Sequence, residues 1–418
     1  MSRAAVGGWM AKRTALVAGL DLGTSKTAVL VGEVGDHGVE IVGLGTAPAR
    51  GLRKGVVVHV ESTVASIRKA VAEAEAMAGC EIRQVIATVG GAHVRGLTSH
   101  GVCAVRNGEV SPGDVDRVLD AARAVALPAD RDVLHVVPQE FIIDDQEGIK
   151  EPVGMAGVRL EAKVHIITAK RAAIENVLKC CKQAGLAVED VVLEPLAAAE
   201  AVLTAEEKDL GVALVDVGCG TTDVMIFHAA AVRHTAILPL GGAHLTNDIA
   251  AGLRTPTAEA EKIKQFYGCA RASRVPHHVS IEVPSVADRE PRVLSRHILC
   301  EIIEPRVEEI FTLVSREIIR SGYEGSLASG VVLTGGTALL EAVTDVAEST
   351  LRVPVRLGVP QHVLALADLV ASPLHAAPVG LLLGSAGGAR AGRVIATRDS
   401  GLIGRVRHRM TGWLREFF

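Results

Sequence analysis

The chain has 418 residues, of which 49% are hydrophobic and 22% charged, a composition that excludes a disordered or collagen-like protein. The formal net charge of −4 gives no electrostatic reason to expect nucleic-acid binding. Two Trp, two Tyr and six Phe are also too few to predict a surface that stacks on bases. At about 150 residues per domain, the length predicts two to four folding units.

Cysteine usage and hydropathy indicate the compartment. The seven cysteines are odd in number and include no CxxC pair, which favours a reducing cytosol over a disulfide framework or a zinc ribbon. No apolar run reaches about 18 residues, so no membrane-spanning helix is predicted. The apolar stretch at residues 15–20 is too short for a signal peptide, and we interpret residues 1–13 as a leader to a first strand.

A unit of strand, Asp-x-Gly turn, strand and strand occurs twice. The first predicted strand, ALVAGL, ends at the turn DLGTSKT, which begins at Asp21, and two further apolar strands follow. The second unit begins with GVALV, turns at DVGCGTTD from Asp216, and again continues into two apolar strands. Repetition on this scale predicts two similar α/β halves that face each other.

Both turns contain groups that suit a phosphate and a hydrated cation. Glycines let the backbone approach a ligand closely, and successive N–H groups in a tight turn form a concave anion site. An Asp at the end of each strand can hold the water ligands of Mg²⁺, which loses its water reluctantly. A single such turn is most simply an ordinary β-turn, whereas the matched pair favours two loops that clamp a triphosphate.

A third motif follows at residues 330–340, where the apolar strand GVVL continues into TGGT and a predicted helical turn. At a strand–Gly-Gly–helix turn, a nucleotide base or ribose can pass close to the backbone. A Walker A loop is absent, because Lys26 lacks the glycine before it and the glycine five residues further back. The second turn also lacks the third glycine and the helix of a dinucleotide-binding fingerprint.

The two Asp-x-Gly turns and the TGG turn resemble the phosphate and adenosine motifs of the actin/Hsp70/sugar-kinase ATPase superfamily. Within it, the chain is similar to the bacterial FtsA family of cell-division proteins, from about residue 16 to residue 418. The motifs that carry this resemblance are DLGTSK (21–26), PQEF (138–141), QEGIK (146–150), GMAGVRLEAKV (154–164), IEPR (303–306) and LTGG (333–336).

The resemblance implies an α/β fold: an actin-like two-lobed ATPase with a family-specific inserted small α+β domain and a C-terminal amphipathic helix. The implied limits are a leader (1–13), the core of lobe 1 (14–90 and 169–208), the inserted domain (91–168), the core of lobe 2 (209–246 and 326–387), a smaller subdomain of lobe 2 (247–325), a flexible linker (388–400) and the amphipathic helix (401–418).

The resemblance also implies a site for ATP and Mg²⁺. Asp21 and Asp216 would hold the water ligands of the Mg²⁺. The nucleotide-binding residues that it implies are Gly23, Thr24, Ser25, Lys26, Gly218, Cys219, Gly220, Thr221, Thr222, Glu261, Lys264, Gly335, Gly336 and Thr337.

Some of these positions have a second interpretation. Glu194 matches the place where Hsp70-like members carry a catalytic carboxylate that orients the attacking water, but a Glu in a first helical turn also stabilises the helix dipole. Glu261 and Lys264 match a helix that touches ribose and adenine, but their spacing is also that of a solvated i,i+3 pair. Cys219 and Thr337 replace glycines that are usual in the family, which bears on hydrolysis more than on binding.

The last residues predict a membrane-binding helix. At about 100° per residue, the apolar side chains fall within less than half of the helix circumference. These are Leu402, Ile403, Val406, Met410, Trp413, Leu414, Phe417 and Phe418. Four arginines and one glutamate make the tail basic, as is typical of a helix that lies in an anionic membrane surface. The alternative is a terminal helix packed on the body, which the Gly-rich linker and the aromatic end disfavour.

The resemblance implies an ATP-binding adaptor that polymerises, tethers the FtsZ ring to the cytoplasmic face of the inner membrane at the septum, and recruits later division proteins. ATP hydrolysis would be slow or regulatory. Arg306, in IEPR, would contact the C-terminal peptide of the tubulin-like FtsZ, with a solvated arginine as the alternative. Two other functions stay open: a small-molecule kinase of the same superfamily, for which we find no acceptor motif, and a pilus-assembly scaffold, which should lack the tail.

Overall fold

The computed structural model describes residues 15–35, 38–285, 290–364 and 366–390. The predicted leader and amphipathic helix therefore lie outside the described residues. The strands in the described part are β1 (Ala15–Leu22), β2 (Lys26–Gly35), β3 (Gly38–Pro48), β4 (Leu52–Arg53), β5 (Val56–Val57), β6 (Gln84–Val89), β7 (Arg95–Ala104), β8 (Arg131–Ile143), β9 (Gln146–Ile149), β10 (Arg159–Lys170), β11 (Ala187–Leu193), β12 (Val212–Val217), β13 (Thr222–His228), β14 (Ala231–Leu238), β15 (Ser280–Val283), β16 (Arg292–Ser295), β17 (Val331–Thr334), β18 (Val355–Leu357) and β19 (Val363–Leu364).

The helices connect these strands and cover their faces. They are α1 (Val60–Ala78), α2 (Pro112–Arg123), α3 (Arg171–Ala184), α4 (Glu194–Val202), α5 (Ala205–Leu210), α6 (Gly242–Leu253), α7 (Thr257–Tyr267), α8 (Arg296–Ser321), α9 (Val343–Leu351), α10 (Ala367–Val370) and α11 (Ala376–Arg390). Short 3₁₀ helices lie at Ala272–Arg274, Glu324–Ser326, Gly336–Leu339 and Pro373–His375. The helical turn predicted after the TGG motif is thus a 3₁₀ turn.

Two sheets share one topology. The first has the strand order β11-β6-β1-β2-β3-β19, and the second β18-β17-β12-β13-β14. In each, three consecutive antiparallel strands lie beside two parallel strands, which are β6 and β11 in the first sheet and β17 and β18 in the second. The prediction of two similar α/β halves is therefore confirmed, and we name them lobe 1 and lobe 2.

The lobes meet along α4 and α11. All six residues of β12 (VALVDV) are buried, as expected for a central strand covered on both faces. A Cβ on Gly380 of α11 would lie only 1.7 Å from the backbone oxygen of Ala197 in α4, so only glycine permits this helix contact. One hydrophobic cluster includes Leu20 of lobe 1 and Leu214 of lobe 2. The lobes therefore share a continuous core.

A third sheet, with the order β7-β10-β8-β9, is covered by α2 and has its own hydrophobic cluster. Buried polar side chains tie it to both lobes. His135 Nε2 accepts a hydrogen bond from the backbone N–H of Leu193, in lobe 1, at 3.0 Å. In lobe 2, Gln139 donates to the Val232 carbonyl at 2.7 Å, and His165 Nε2 lies 3.0 Å from Thr235 Oγ1.

Lobe 2 also contains a helical region formed by α6, α7 and α8 together with the β15–β16 hairpin. These elements bury apolar side chains against β12 and β13, as Leu245 and Phe311 illustrate. Across the described ranges, no helix combines the length and the hydropathy needed to cross a lipid bilayer.

Candidate nucleotide-binding site

A cavity of about 550 Å³ lies between the lobes, at the ends of β1, β12 and β17. The structure brings to its wall all but one of the residues predicted to bind nucleotide or Mg²⁺ or to act in hydrolysis: Asp21, Gly23, Thr24, Ser25, Lys26, Glu194, Asp216, Gly218, Cys219, Gly220, Thr221, Glu261, Lys264, Gly335, Gly336 and Thr337. Thr222 is the exception, because its side chain is fully buried behind the turn and donates to the Leu240 carbonyl at 2.8 Å.

The first turn orients Asp21 toward the cavity from the end of β1. Its carboxylate is 4% exposed, and its Oδ1 accepts a hydrogen bond from Thr88 Oγ1 at 2.9 Å. Thr88 Oγ1 in turn accepts the backbone N–H of Leu22 at 3.0 Å, which fixes the threonine. Burial raises the pKa of Asp21, while the Lys26 charge and the Thr88 bond act in the opposite direction.

The second turn places Asp216 opposite, at the end of β12. Burial and the charge of Asp21 raise the pKa of Asp216 to about 7, against the effect of Lys26. The TGG motif packs directly on this carboxylate. Gly335 has φ +88°, and a Cβ there would lie 2.2 Å from Asp216 Oδ1. Glycine is therefore required at position 335 for both backbone conformation and space.

The tip of a short hairpin, β4–β5, lies against both turns. The backbone N–H of Gly55 at its tip donates to Thr24 Oγ1 at 3.1 Å. A Cβ on Gly220 would lie 2.8 Å from Thr24 Oγ1 and 3.0 Å from the Cα of Lys54. Lys54 has φ +50°, an uncommon backbone conformation for a residue with a side chain. The hairpin tip thus holds the two predicted phosphate loops in close contact.

Lys26 supplies an ammonium group to the cavity. Its Nζ donates to the Leu374 carbonyl at 2.6 Å and lies 3.4 Å from His375 Nδ1. Burial lowers the pKa of Lys26, and the charges of Asp21, Asp216 and Glu194 oppose this effect. The sequence pattern carries no signal for residues 374 and 375, because they lie far along the chain from Lys26.

Glu194 is the first residue of α4 and also lines the cavity, so both interpretations of its role fit its position. Burial raises its pKa well above the ordinary value, as do the negative charges of Asp21, Asp223 and Asp216, while Lys26 opposes them. A Cβ on Gly90 would lie 2.6 Å from Glu194 Oε2, so a glycine at the end of β6 leaves room for the carboxylate.

The sequence analysis did not assign Asp223. It is 2% exposed and lies directly across the β12–β13 ladder from Asp216. Its Oδ1 has no hydrogen-bond partner among the described residues, and burial followed by the Asp216 charge raises its pKa well above the ordinary value. The internal repeat carried no signal for it, because the matching residue opposite Asp21 in lobe 1 is Ala28.

The Glu261–Lys264 pair forms part of the cavity wall. Lys264 Nζ lies 2.7 Å from Glu261 Oε2 and donates to Thr246 Oγ1 at 2.9 Å, with only 12% of its side chain exposed. The interpretation as a solvated pair is therefore wrong for Lys264. Gln265 donates to the other oxygen of Glu261 at 2.8 Å, so both carboxylate oxygens have partners.

Thr337 and Cys219, which replace glycines that are usual in the family, are compatible with the backbone conformation at their positions. The Thr337 hydroxyl donates to the Gly218 carbonyl at 3.1 Å and so connects the TGG motif to the second phosphate loop. Cys219 is not among the described residues with positive φ, so a side chain at this position causes no backbone strain. Burial raises the pKa of its thiol, and the Lys264 charge opposes this.

Two other groups of predicted residues lie elsewhere. Arg306 is on α8, where its Nε and Nη2 donate to Asp248 at 2.6 and 3.2 Å and its Nη1 pairs with Glu309. It is therefore an ion-paired arginine whose side chain is 28% exposed, and it does not line the cavity. The predicted membrane-binding side chains, from Leu402 to Phe418, fall outside the described residues.

The cavity combines several kinds of group on opposing walls: turns with exposed backbone, the Lys26 ammonium, and the carboxylates of Asp21, Asp216 and Glu194. No group of three or more His, Cys, Asp or Glu side chains in the described ranges is arranged to hold a metal ion directly. Such a site suits a polyanion bound with a hydrated cation, because carboxylates can hold the water ligands of that cation.

Two family models match the chain. One, described as "Cell division protein FtsA", matches residues 213–380, and the other, "SHS2 domain inserted in FTSA", matches residues 91–168. The cell-division protein FtsA of Pseudomonas aeruginosa is 54% identical over 369 residues, which cover 88% of each chain. That of Escherichia coli K12 is 40% identical over 412 residues, which cover 96% of this chain and 98% of the relative.

Solved structures agree on the fold at much lower identity. The PilM–PilN type IV pilus biogenesis complex is 18% identical with a TM-score of 0.63, over 88% of this chain and 97% of that chain. MreB5 of Spiroplasma citri bound to ADP is 14% identical with a TM-score of 0.53, over 87% and 94% of the two chains. These likenesses show the fold alone, and they confirm the predicted actin-like architecture. Because the identity to FtsA proteins extends over nearly the whole length of both chains, the chain belongs to the FtsA family of cell-division proteins.

Proposed function

We propose that this protein is an ATP-binding, actin-like adaptor that tethers the bacterial division ring to the cytoplasmic membrane. The observation that carries the nucleotide part is the pair of topologically equivalent turns, which bring Asp21 and Asp216 to one cavity with Lys26 between the lobes. The MreB5 structure bound to ADP supports a nucleotide in this fold. The membership in the FtsA family supports the role in division, and it favours this function over the kinase and pilus alternatives.

The residues of the cavity fit ATP and Mg²⁺. Gly220 and Gly335 let the two turns and the TGG motif pack closely around the cavity, because a Cβ at either position would meet protein atoms at 2.8 Å or less, and the buried carboxylates of Asp21 and Asp216 suit the water ligands of the cation. The Mg²⁺ would neutralise phosphate charge. Lys26 and the two turns bind and orient the phosphates, and the Glu261–Lys264 wall contacts the nucleoside. Glu194 orients a water toward the terminal phosphate, with slow or regulatory turnover.

The test of the nucleotide site is calorimetric titration with Mg-ATP. The intact chain should bind, and Asp216→Ala should abolish measurable binding because it removes a carboxylate that holds the cation. Asp368→Ala is the matched control, since this aspartate is exposed and lies outside the cavity. Binding retained by Asp216→Ala would show that the nucleotide binds elsewhere, and no binding by the intact chain would contradict the function itself.

The adaptor role depends on the C-terminal segment, on Arg306 of lobe 2 and on the inserted domain. α11 extends to Arg390 and so includes the first three residues of the predicted linker (388–400); the rest of the linker and the amphipathic helix (401–418) would reach an anionic membrane at the division septum. One such helix binds weakly and reversibly, so self-association into a filament would supply the several tails needed for lasting attachment.

Arg306 would contact the FtsZ C-terminal peptide and exchange its Asp248 partner for an acidic group of the peptide. The inserted domain, supported as residues 91–168 by its family model, would recruit later division proteins.

Co-sedimentation with liposomes tests the membrane tether. The intact chain with ATP should pellet with vesicles that contain anionic lipid, whereas a chain that ends at Gly401 should stay in the supernatant. Trp413→Asp should reduce pelleting because it places a charge on the apolar face. Equal pelleting of the intact and shortened chains would refute the tether, and the nucleotide titration would remain valid on its own.

A further inference from the structure

The Lys26 ammonium is held by the segment that precedes α11. Nζ donates to the Leu374 carbonyl at 2.6 Å and lies 3.4 Å from His375 Nδ1. Both acceptors belong to the 3₁₀ helix Pro373–His375. The chain thus brings a lysine of the first phosphate loop against a turn that is distant in sequence.

The acceptors are themselves fixed. The Ser372 hydroxyl accepts the backbone N–H of Leu374 at 3.4 Å, and the Ser372 carbonyl accepts that of His375 at 2.9 Å. The Pro373 carbonyl accepts a hydrogen bond from Thr334 Oγ1, at the end of β17, at 3.5 Å. The turn is therefore anchored at the start of the TGG motif, so that the Lys26 acceptors have a defined position relative to the cavity.

The protonation of His375 suits an acceptor. Burial and the positive charge of Lys26 lower the pKa of His375 to about 4, so the ring is neutral at physiological pH. With its proton on Nε2, a neutral imidazole presents a lone pair at Nδ1 to the ammonium. A lysine ammonium has three N–H donors, and two protein acceptors leave one of them for another partner.

We propose that His375 is a positioning residue for Lys26: with the Leu374 carbonyl it fixes the ammonium so that its remaining N–H meets a phosphate of the bound nucleotide. This inference rests on the proposed ATP site. Fixing a long, flexible side chain before the ligand arrives reduces the entropy lost on binding. His375 therefore contributes to affinity for the phosphates beyond the first one, without touching the nucleotide itself.

Two substitutions separate this role from simple packing. His375→Leu keeps the bulk of the ring but removes the acceptor. His375→Asn loses bulk but keeps an acceptor oxygen near the position of Nδ1. His278→Asn is the control, because that histidine is exposed and outside the cavity. Dissociation constants for Mg-ATP, Mg-ADP and AMP are measured by competition against a fluorescent ATP analogue, and thermal melting checks that each variant is folded.

We expect His375→Leu to weaken ATP and ADP about 2- to 10-fold and to leave AMP within about 2-fold, as for the loss of one hydrogen bond. His375→Asn should bind all three nucleotides nearly as the unsubstituted chain does. In a Lys26→Met background, His375→Leu should have no further effect, because the residue acts through the lysine.

Unchanged ATP and ADP affinity in His375→Leu would overturn the inference. An equal loss of AMP affinity, or a greater loss in His375→Asn than in His375→Leu, would overturn it too, since either result indicates packing instead of positioning. An unsubstituted chain that bound no ATP would contradict the proposed function as well, whereas normal ATP binding with an inert His375→Leu would contradict the positioning role alone.

Discussion

The two phosphate-loop hairpins have the same backbone pairing but different chemistry. In lobe 1 the β1–β2 ladder pairs Asp21 with Ala28, and in lobe 2 the β12–β13 ladder pairs Asp216 with Asp223. The position of Lys26 in the first turn corresponds to Thr221 in the second. Lobe 1 therefore supplies the Lys26 ammonium group, and lobe 2 supplies an additional carboxylate, Asp223, whose charge acts on Glu194. A duplicated backbone thus serves two different chemical roles.

The lobes also differ in how they hold the third sheet. His135 accepts a backbone N–H of lobe 1, whereas His165 contacts a side chain of lobe 2. Both histidines are 2% exposed, and burial lowers the pKa of each to about 3. The two attachments are therefore made by neutral rings in an environment that disfavours their charged form.

The largest expected effect is a loss of stability in acid. The unfolded chain binds a proton at each of His135 and His165 below about pH 6.5, while the folded chain does so only near pH 3. The two buried histidines therefore cost nothing above pH 6.5 and destabilise the folded chain progressively as the pH falls toward 3, while the raised pKa of Asp216 acts in the opposite direction. Between pH 7 and pH 5 we expect each histidine to lower the free energy of unfolding by about 2 kcal/mol.

Denaturant titrations at both pH values measure this change. His135→Gln and His165→Gln should each remove about 2 kcal/mol of acid destabilisation between pH 7 and pH 5, and the exposed His278→Gln is the control. If only one of the two buried substitutions flattens the profile, the two attachments of the third sheet are not equivalent.

The next largest effect is on Mg-ATP affinity, and substitutions at corresponding positions compare the two turns directly. Lys26→Met removes a charged donor, and we expect Mg-ATP affinity to fall about 10- to 100-fold. Thr221→Val removes a neutral hydroxyl at the corresponding position and should cost about 2- to 10-fold. Calorimetry measures both, with Lys262→Met as a control on an exposed lysine of α7. Similar losses at the two positions would contradict the division of roles between the turns.

Asp223→Asn addresses the extra carboxylate of lobe 2. It removes a buried carboxyl whose ionised form is disfavoured by burial and by the Asp216 charge, so the nucleotide-free chain should gain about 1–2 kcal/mol of stability at alkaline pH, where that carboxyl would otherwise be charged. Thermal melting measures this, with the exposed Asp368→Asn as the control. We expect ATP hydrolysis to slow in the same variant, because the charge lies near Glu194. A less stable variant would show that Asp223 is compensated in the folded protein.

The smallest effect concerns the contact between the two motifs of lobe 2. Thr337→Val removes the hydroxyl that donates to the Gly218 carbonyl, and we expect a loss of about 2- to 5-fold in ATP affinity. Thr337→Ser keeps the donor and should bind normally in the same titration. If both variants bind alike, the hydroxyl does not position the second phosphate loop.

Particular residues show which features of the fold and the site could be predicted from sequence motifs and which could not. The repeated Asp-x-Gly turns predicted the two lobes and ten of the residues that line the cavity, because each turn is a local feature in which glycine permits close backbone approach. The same repeat contained Asp223, but only its register opposite Asp216 gives that residue a place beside the site. For Lys264, spacing alone suggested a solvated pair, and only the packing of α7 against α6 shows that its side chain is buried.

The duplicated strand–turn units, the TGG turn and the apolar periodicity of the tail can be recognised from local sequence alone, since each depends on neighbouring residues along the chain. Only the packing of the lobes shows which carboxylates face one another and that the 3₁₀ helix Pro373–His375 contacts Lys26. The same packing explains why Gly335 and Gly380 admit no side chain. These features arise from contacts between residues more than a hundred positions apart, such as Gly335 with Asp216 and Lys26 with Leu374. Such contacts leave no local pattern, because burial and electrostatic environment depend on how the lobes pack.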